Sequence, residues 1–147
     1  PKIFPDALYD ADGGHAYRAY TYIDDAVDCM VRIIEDKNNN CEGQIFNIGT
    51  PENELTIAEM AEKMSDIFDE HFRQEGDPPR PDVVSISGEE FYGVGYEDCD
   101  RRIADITKAR TLLGWEPKHD LDSVITQTMK YFVDEFRKKQ ASEAVGA

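Results

Sequence analysis

The chain has 147 residues and a formal net charge of −15, with 40% apolar and 10% aromatic residues. These values fit a folded domain with one core, and the acidic balance argues against nucleic acid or an anionic membrane as the main partner. No apolar run approaches the roughly 18 residues that span a bilayer, and the scattered cysteines and histidines fit a reducing cytoplasm without a metal site.

The first third of the chain predicts turns, one strand and one helix. Asp12-Gly13-Gly14 is a strong turn signal, and the aromatic and β-branched residues from Tyr20 to Ile23 predict a short strand. Apolar residues then recur at helical spacing up to about Asp36, so we expect a helix capped by Asp24 or Asp25.

Further strands and helices alternate along the rest of the chain. Two short strands are predicted over Gln44–Ile48 and Val83–Ile86, and a polar loop over Gln74–Pro81. Three helices are predicted: one opened by the capping box at Thr56, one over Thr107–Leu113 stopped by Gly114, and one from Asp120 to about Phe136.

This order of elements indicates an α/β fold. The strands are few and short for a self-sufficient parallel sheet, and the first residue is Pro1 rather than methionine. We therefore expect residues 1–139 to be the closing, substrate-binding part of a larger α/β enzyme, followed by a disordered tail over residues 140–147.

Two adjacent arginines, Arg101 and Arg102, stand out in this acidic chain because they follow the glycine-rich stretch Tyr92–Tyr96. A guanidinium is always charged and matches phosphate or carboxylate oxygens two at a time, so the pair is a candidate anion site. The alternative is a surface pair neutralised by neighbouring carboxylates, which composition alone favours.

Several motifs stand in one order along the chain. They are Gly13-Gly14, the segment Arg18–Asp25, Phe46-Asn47-Ile48-Gly49, the capped helix at Thr56, the paired arginines, Asp105–Ala109 and Leu113–Pro117. This ordered set resembles the C-terminal half of the extended short-chain dehydrogenase/reductases that act on nucleotide sugars. The resemblance extends from about Leu8 to about Phe136.

Within that family, the insert from Phe68 to Arg102 and the segment Asn47–Glu54 are most similar to the UDP-glucuronic acid decarboxylase branch, which in one bifunctional enzyme makes aminoarabinose precursors for lipid A. The resemblance implies that NAD oxidises the sugar 4-hydroxyl of UDP-glucuronate, after which the β-keto acid loses carbon dioxide. It also implies a homo-oligomeric full-length protein.

The resemblance implies roles for individual residues. Arg102 matches the arginine implicated in reprotonating the sugar, although a guanidinium is a poor acid and stabilises negative charge more readily. Tyr96 matches a tyrosine near the substrate carboxylate, and Arg18 an arginine that faces the nucleotide. Relatives often have proline at position 104, where this chain has Ala104, and the loss loosens the turn after Arg102.

The family's glycine-rich dinucleotide motif and its Tyr-x-x-x-Lys pair are both missing from this sequence. We therefore expect NAD to bind mainly to an absent N-terminal half, and the chain alone to be inactive. A nucleotide-sugar 4-epimerase, a 4,6-dehydratase and a non-catalytic sugar-nucleotide-binding module stay open as alternatives.

Overall fold

The computed structural model contains five short strands and four helices within the residues that it describes. It describes residues 7–10, 16–85, 92–95, 99 and 101–145, of which residues 7–10, 85 and 144–145 are described by their backbone alone. The strands are β1 (Ala7–Asp10), β2 (Tyr17–Ala19), β3 (Glu54–Thr56), β4 (Asp82–Ser85) and β5 (Arg101–Arg102). The helices are α1 (Ile23–Ile34), α2 (Ile57–His71), α3 (Thr107–Leu113) and α4 (Leu121–Val145). The predicted α/β class is confirmed.

The chain divides into two compact units. The sheet unit comprises the described residues of Ala16–Thr56 and Cys99–Leu121. The helical unit comprises the described residues of Pro1–His15, Ile57–Asp98 and Asp122–Ala147. The candidate site residues that the structure describes all lie in the sheet unit.

The sheet unit is built around β2, the middle strand of a three-stranded sheet with the order β3-β2-β5. On one side β2 pairs antiparallel with β3, so that Arg18 is opposite Leu55 and Ala19 opposite Glu54. On the other side β2 pairs parallel with β5, and Arg18 is opposite Arg102. This sheet therefore brings together three segments that are far apart in the sequence.

The core of the sheet unit forms around Trp115, which is completely buried with Cys29 of α1 and Ala109 of α3. Its indole N–H donates a 3.0 Å hydrogen bond to the backbone oxygen of Asp25, so the ring meets both its apolar and its polar requirements. Gly114, directly before it, ends α3 in the left-handed conformation with φ +58°, which glycine adopts without strain.

In the helical unit, β1 and β4 form a separate parallel pair. Buried apolar side chains come from α2 and α4, and they are Ile67, Phe68, Ile125, Met129 and Val133. The segment after α2 is the predicted loop, and arginines fix it at both ends. Arg80 pairs with Asp66 of α2 at 2.6 Å, and Arg137 of α4 donates to the Phe72 carbonyl at 2.6 Å. Among the described residues, no helix is both long and apolar enough to cross a bilayer.

Two strand predictions in the sheet unit are wrong. The strand predicted over Tyr20–Ile23 lies three residues earlier, because the pairing of β2 with β3 and β5 ends at Ala19 and α1 begins at Ile23. Residues 44–48 form no strand, since they have no sheet partner within the described ranges. Phe46 and Ile48 pack against the Trp115 core instead.

Helix boundaries agree better with the sequence. The helix over Thr107–Leu113, its stop at Gly114 and the helix after Thr56 are confirmed. The prediction that Asp24 or Asp25 caps α1 is wrong. Tyr22 occupies the N-cap position, and the Asp25 carboxylate accepts a hydrogen bond from the Lys118 N–H. The predicted turn at Asp12–Gly14 lies outside the described residues.

The last helix differs most from its expected length. α4 continues to Val145 and covers most of the segment for which the sequence predicts a disordered tail. Lys138 and Lys139 before this segment and Gln140 and Ala141 at its start favour helix, and the Ser142 hydroxyl donates to the Lys139 carbonyl at 2.8 Å. Local helix propensity therefore extends α4 without an apolar stripe.

Replacing Trp115 by alanine tests the core of the sheet unit. We expect Trp115→Ala to lower the free energy of unfolding by about 3–5 kcal/mol, because it removes a buried ring and leaves a cavity. Urea denaturation followed by circular dichroism measures this change. As a control, Ile34→Ala at an 82% exposed position should cost far less. Equal losses in the two variants would contradict the assigned core.

Candidate functional site

Two of the predicted ligand-binding arginines are neighbours on one face of the sheet. Arg18 of β2 and Arg102 of β5 are partners in the parallel register. Partners on adjacent strands lie about 4.8 Å apart, and their side chains leave the same face of the sheet. The two arginine side chains therefore leave the same face of the sheet from neighbouring positions, and we call this pair the arginine face.

A guanidinium group is planar and keeps its positive charge. Paired guanidiniums bind the oxygens of a phosphate or carboxylate through charge-assisted hydrogen bonds. The arginine face thus has the chemistry of a site for an anion with several oxygens.

Arg101 extends from the opposite face, because successive side chains of a strand alternate. Its Nε and Nη2 atoms donate to the two carboxylate oxygens of Glu54, both at 2.8 Å. Hydrogen bonding to the guanidinium holds the pKa of Glu54 below its usual value, and the carboxylate raises the pKa of Arg101. The structure thus brings Arg18 and Arg102 together and pairs Arg101 with a carboxylate.

Arg18 also fixes the segment that leads into β5. Its Nη1 atom donates to the carbonyl oxygens of Tyr17 at 2.8 Å and Cys99 at 2.9 Å. The Cys99 thiol in turn contacts the Arg101 carbonyl at 2.9 Å. Arg18 therefore holds the backbone before β5 in place and also contributes a positive charge to the arginine face.

The turn after Arg102 is held without the proline that relatives often have. Gly49 lies so close to Ala104 that an added Cβ would be 2.8 Å from the Ala104 side chain. The Asn47 side-chain amide donates to the Asp105 carbonyl at 3.1 Å. The Asp105 carboxylate accepts from the Thr107 N–H at 2.9 Å. These contacts replace the stiffness that proline would supply.

A second polar cluster ties α1 to the segment before α4. Asp25 is buried and accepts hydrogen bonds from the backbone N–H groups of Lys118 and His119 and from the His119 ring. Burial opposes ionisation of this carboxylate. These hydrogen bonds outweigh it, so the pKa of Asp25 lies below its usual value. The His119 ring also packs at 4.8 Å from the Tyr22 ring.

Tyr96, the other predicted substrate residue, lies outside the described residues. Asp98 and Asp100, two of the neighbouring carboxylates that could neutralise the arginines, lie outside them as well. Sequence reasoning missed Glu54 and Asp25 as site-forming residues. Glu54 stands in the Asn47–Glu54 segment that carries the family resemblance, which was a usable signal. The role of Asp25 depends on contacts with Lys118 and His119, far along the chain, and no local pattern announces it.

The junction between β3 and α2 contains no glycine-rich turn of the kind that binds dinucleotides, because β3 passes from Thr56 directly into α2 at Ile57. Throughout the described part of the chain, no three His, Cys, Asp or Glu side chains come together to hold a metal ion.

Residues 6–128 match the family model described as GDP-mannose 4,6 dehydratase. With that match over most of its length, the chain belongs to the extended short-chain dehydrogenase/reductase family, the NAD-dependent epimerases and dehydratases of nucleotide sugars. The fold and family that the sequence predicts are thereby confirmed.

Solved structures similar to this chain come from several bacteria. The PbgP3 protein of Burkholderia pseudomallei is 29% identical with a TM-score of 0.68, covering 82% of this chain and 32% of its own. A UDP-glucuronic acid 4-epimerase of Bacillus cereus, solved with UDP-glucuronic acid and NAD, is 25% identical with a TM-score of 0.63, covering 86% and 35%. A UDP-glucose 4-epimerase of Thermotoga maritima, solved with UDP-glucose, is 26% identical with a TM-score of 0.66, covering 88% and 36%. The chain spans about a third of the length of these proteins.

The Asp25 cluster should make stability depend on pH. Because the folded pKa of Asp25 is lowered, its contribution is complete above the unfolded pKa of about 3.9 and is lost as pH falls through the folded value. We expect Asp25→Asn to lower the free energy of unfolding by about 2 kcal/mol at pH 7, and the difference from wild type to narrow towards pH 3. Asp24→Asn, one residue away and exposed, is the control. A pH-independent difference would contradict the assigned ionised state.

Proposed function

We propose that this chain is the sugar-nucleotide-binding part of an NAD-dependent UDP-glucuronate decarboxylase. The observation that carries the proposal is the arginine face, where Arg18 and Arg102 stand in register on adjacent strands. UDP-glucuronate has a diphosphate and a carboxylate, so it supplies anions for both guanidiniums. The resemblance of the segment from Tyr92 to Arg102 to the decarboxylase branch selects the reaction.

In this proposal, Arg102 takes part in the decarboxylation that follows oxidation of the sugar. Once the sugar carries a ketone at position 4, its carboxylate is that of a β-keto acid. Carbon dioxide leaves because the neighbouring carbonyl accepts the electron pair, giving an enolate. A guanidinium beside that oxygen stabilises the charge, and protonation at carbon then gives a 4-keto pentose still attached to UDP. Tyr96 hydrogen-bonds the carboxylate before it is lost, and Arg18 faces the nucleotide.

The nicotinamide cofactor belongs to another part of the enzyme in this scheme. One face of α1 is evidence for a second lobe that would hold this cofactor. This face carries apolar side chains at helical spacing that are 42–82% exposed. They are Ile23, Val27, Met30, Val31 and Ile34. A surface of this kind is what a neighbouring lobe covers in a larger enzyme.

A nucleotide-sugar 4-epimerase is the second candidate. The observation that favours it is the 25% identity to a UDP-glucuronic acid 4-epimerase. The structure of that epimerase contains UDP-glucuronic acid, the sugar nucleotide proposed for this chain. Both candidates need an anion site and differ in the step after oxidation. The fate of the carboxylate, lost or retained, separates them.

Ligand titration tests the arginine face. By calorimetry at one fixed ionic strength, we expect the chain to bind UDP-glucuronate more tightly than UDP-glucose, because only the glucuronate adds a carboxylate. Arg102→Ala should abolish that preference and weaken binding by roughly tenfold or more, since it removes a charge-assisted contact.

Lys130→Ala removes an exposed cation of α4 that pairs with Asp134, and it is the matched control for net charge. It should bind both sugars as wild type does. Equal binding of the two UDP-sugars by wild type would remove the support for a glucuronate enzyme. An Arg102→Ala variant that keeps the preference would remove Arg102 from the site.

Turnover by the chain alone should be absent. Oxidation needs a tyrosine whose pKa a nearby lysine lowers, and the sequence has no Tyr-x-x-x-Lys pair. Incubation with UDP-glucuronate and NAD, followed by chromatography of the nucleotide sugars and absorbance of NADH, should therefore give no product above a heat-inactivated control. Product formation would show that the chain holds a complete active site.

A further inference from the structure

We propose that Glu54 and Arg101 are positioning residues whose ion pair sets the aim of Arg102 at the arginine face. This inference rests on the proposed function, because it assigns the pair a task in binding the same sugar nucleotide. Neither side chain is given a contact with the ligand.

The geometry of the pair is that of a rigid fork. Two nitrogens of Arg101 meet two oxygens of Glu54, both at 2.8 Å, so each group fixes the orientation of the other. The Glu54 side chain is only 16% exposed, which limits the alternative positions open to its carboxylate. The pair thus restrains the Arg101 side chain, although 63% of that side chain is exposed.

The pair joins the two outer strands across the middle one. Glu54 belongs to β3 and Arg101 to β5, while β2 lies between them. Glu54 is opposite Ala19 in the register, and the small alanine side chain leaves room for the guanidinium to cross β2. One ion pair therefore spans the whole width of this sheet.

β5 needs such an anchor because it is very short. It consists of Arg101 and Arg102 alone, and among the described residues its one partner strand is β2. The two side chains leave opposite faces of one short segment, so fixing Arg101 on one face limits the rotation of the backbone that carries Arg102 on the other. Loss of the anchor lets β5 twist, and the Arg102 guanidinium then samples a wider range of positions.

Removing the charge of Glu54 distinguishes positioning of Arg102 from a simple electrostatic effect on the ligand. With Glu54 in place, Arg101 has a carboxylate partner on its own face. Without that carboxylate, Arg101 becomes a third cation beside the site with no fixed direction. Positioning and simple electrostatics consequently predict opposite effects when Glu54 loses its charge. Coulomb's law alone predicts tighter binding of an anion, whereas positioning predicts weaker binding.

A double-mutant cycle on the chain tests this inference. Binding of UDP-glucuronate is measured for wild type, Glu54→Gln, Arg102→Ala and the double variant. We expect Glu54→Gln to weaken binding about tenfold in the wild-type background and to have no further effect once Arg102 is alanine, because residues that act through one another are not additive.

Two further variants serve as controls. Glu52→Gln removes a carboxylate two residues away whose partner is Arg110 of α3 at 2.9 Å, so it reports the pure charge effect and should leave binding unchanged or tighter. Glu54→Asp keeps the charge but shortens the side chain, and it should lose part of the affinity. Thermal unfolding of each variant shows whether it is folded, and Glu54→Asp carries the test if Glu54→Gln does not fold.

The outcomes separate this inference from the proposed function. Wild-type binding that Arg102→Ala abolishes, with both Glu54 variants equal to or tighter than wild type, overturns the positioning role alone. A Glu54→Gln loss that persists undiminished without Arg102 also overturns it, because Glu54 would then act independently. Failure of wild type to bind any UDP-sugar overturns the proposed function, and the positioning role with it.

Discussion

The parallel pairing of β2 with β5 is the constraint on which the rest of the site depends. It places Arg18 opposite Arg102, although the two residues are far apart in the sequence. Only two residues of β5 take part, so the contacts around it have to hold the register. Arg18 binds the Cys99 carbonyl before the strand, and Gly49 with Asn47 fixes the turn behind it.

Charge at this sheet is organised by strand alternation. Arg101 and Arg102 are adjacent in the sequence, which suggests a single cationic pair. In the strand their side chains leave opposite faces. Arg101 pairs with Glu54, and Arg102 lies beside Arg18 on the arginine face. Arg18 and Arg102 thereby form a local pair of cations in a chain with net charge −15. The proposed sugar-nucleotide site uses this separation, because one arginine supports the sheet while two serve the ligand.

Local patterns predicted the helices better than the strands, although β4 (Asp82–Ser85) overlaps the strand predicted over Val83–Ile86. Gly114 and the apolar spacing after Thr56 are local signals, and α3 and α2 follow them. Strand positions depend on partners elsewhere in the chain. Tyr20–Ile23 has the composition of a strand, but pairing ends at Ala19, and residues 44–48 have no sheet partner within the described ranges.

The same distinction applies to the candidate site. Arg102 and Arg18 were recognisable from motifs that resemble a known family, and their residue type carries the chemistry. Two contacts were not recognisable from the sequence, because each joins segments that are distant along the chain. They are the ion pair of Arg101 with Glu54 and the hydrogen bond of the buried Asp25 with His119. Composition favoured neutralisation of the arginines by the neighbouring Glu97, Asp98 and Asp100, which lie outside the described residues. Among the described residues, Arg101 binds the carboxylate of Glu54 on another strand.

The most direct measurement of the central claim is the response of individual arginine side chains to ligand. Nitrogen-15 NMR resolves the Nε–H resonances of Arg18, Arg101 and Arg102 during a titration with UDP-glucuronate. The arginine face predicts that the Arg18 and Arg102 resonances shift together with one saturation curve, while Arg101 keeps the resonance of its pair with Glu54. A shift of Arg101 with Arg102 unchanged, or separate saturation curves for Arg18 and Arg102, would contradict it.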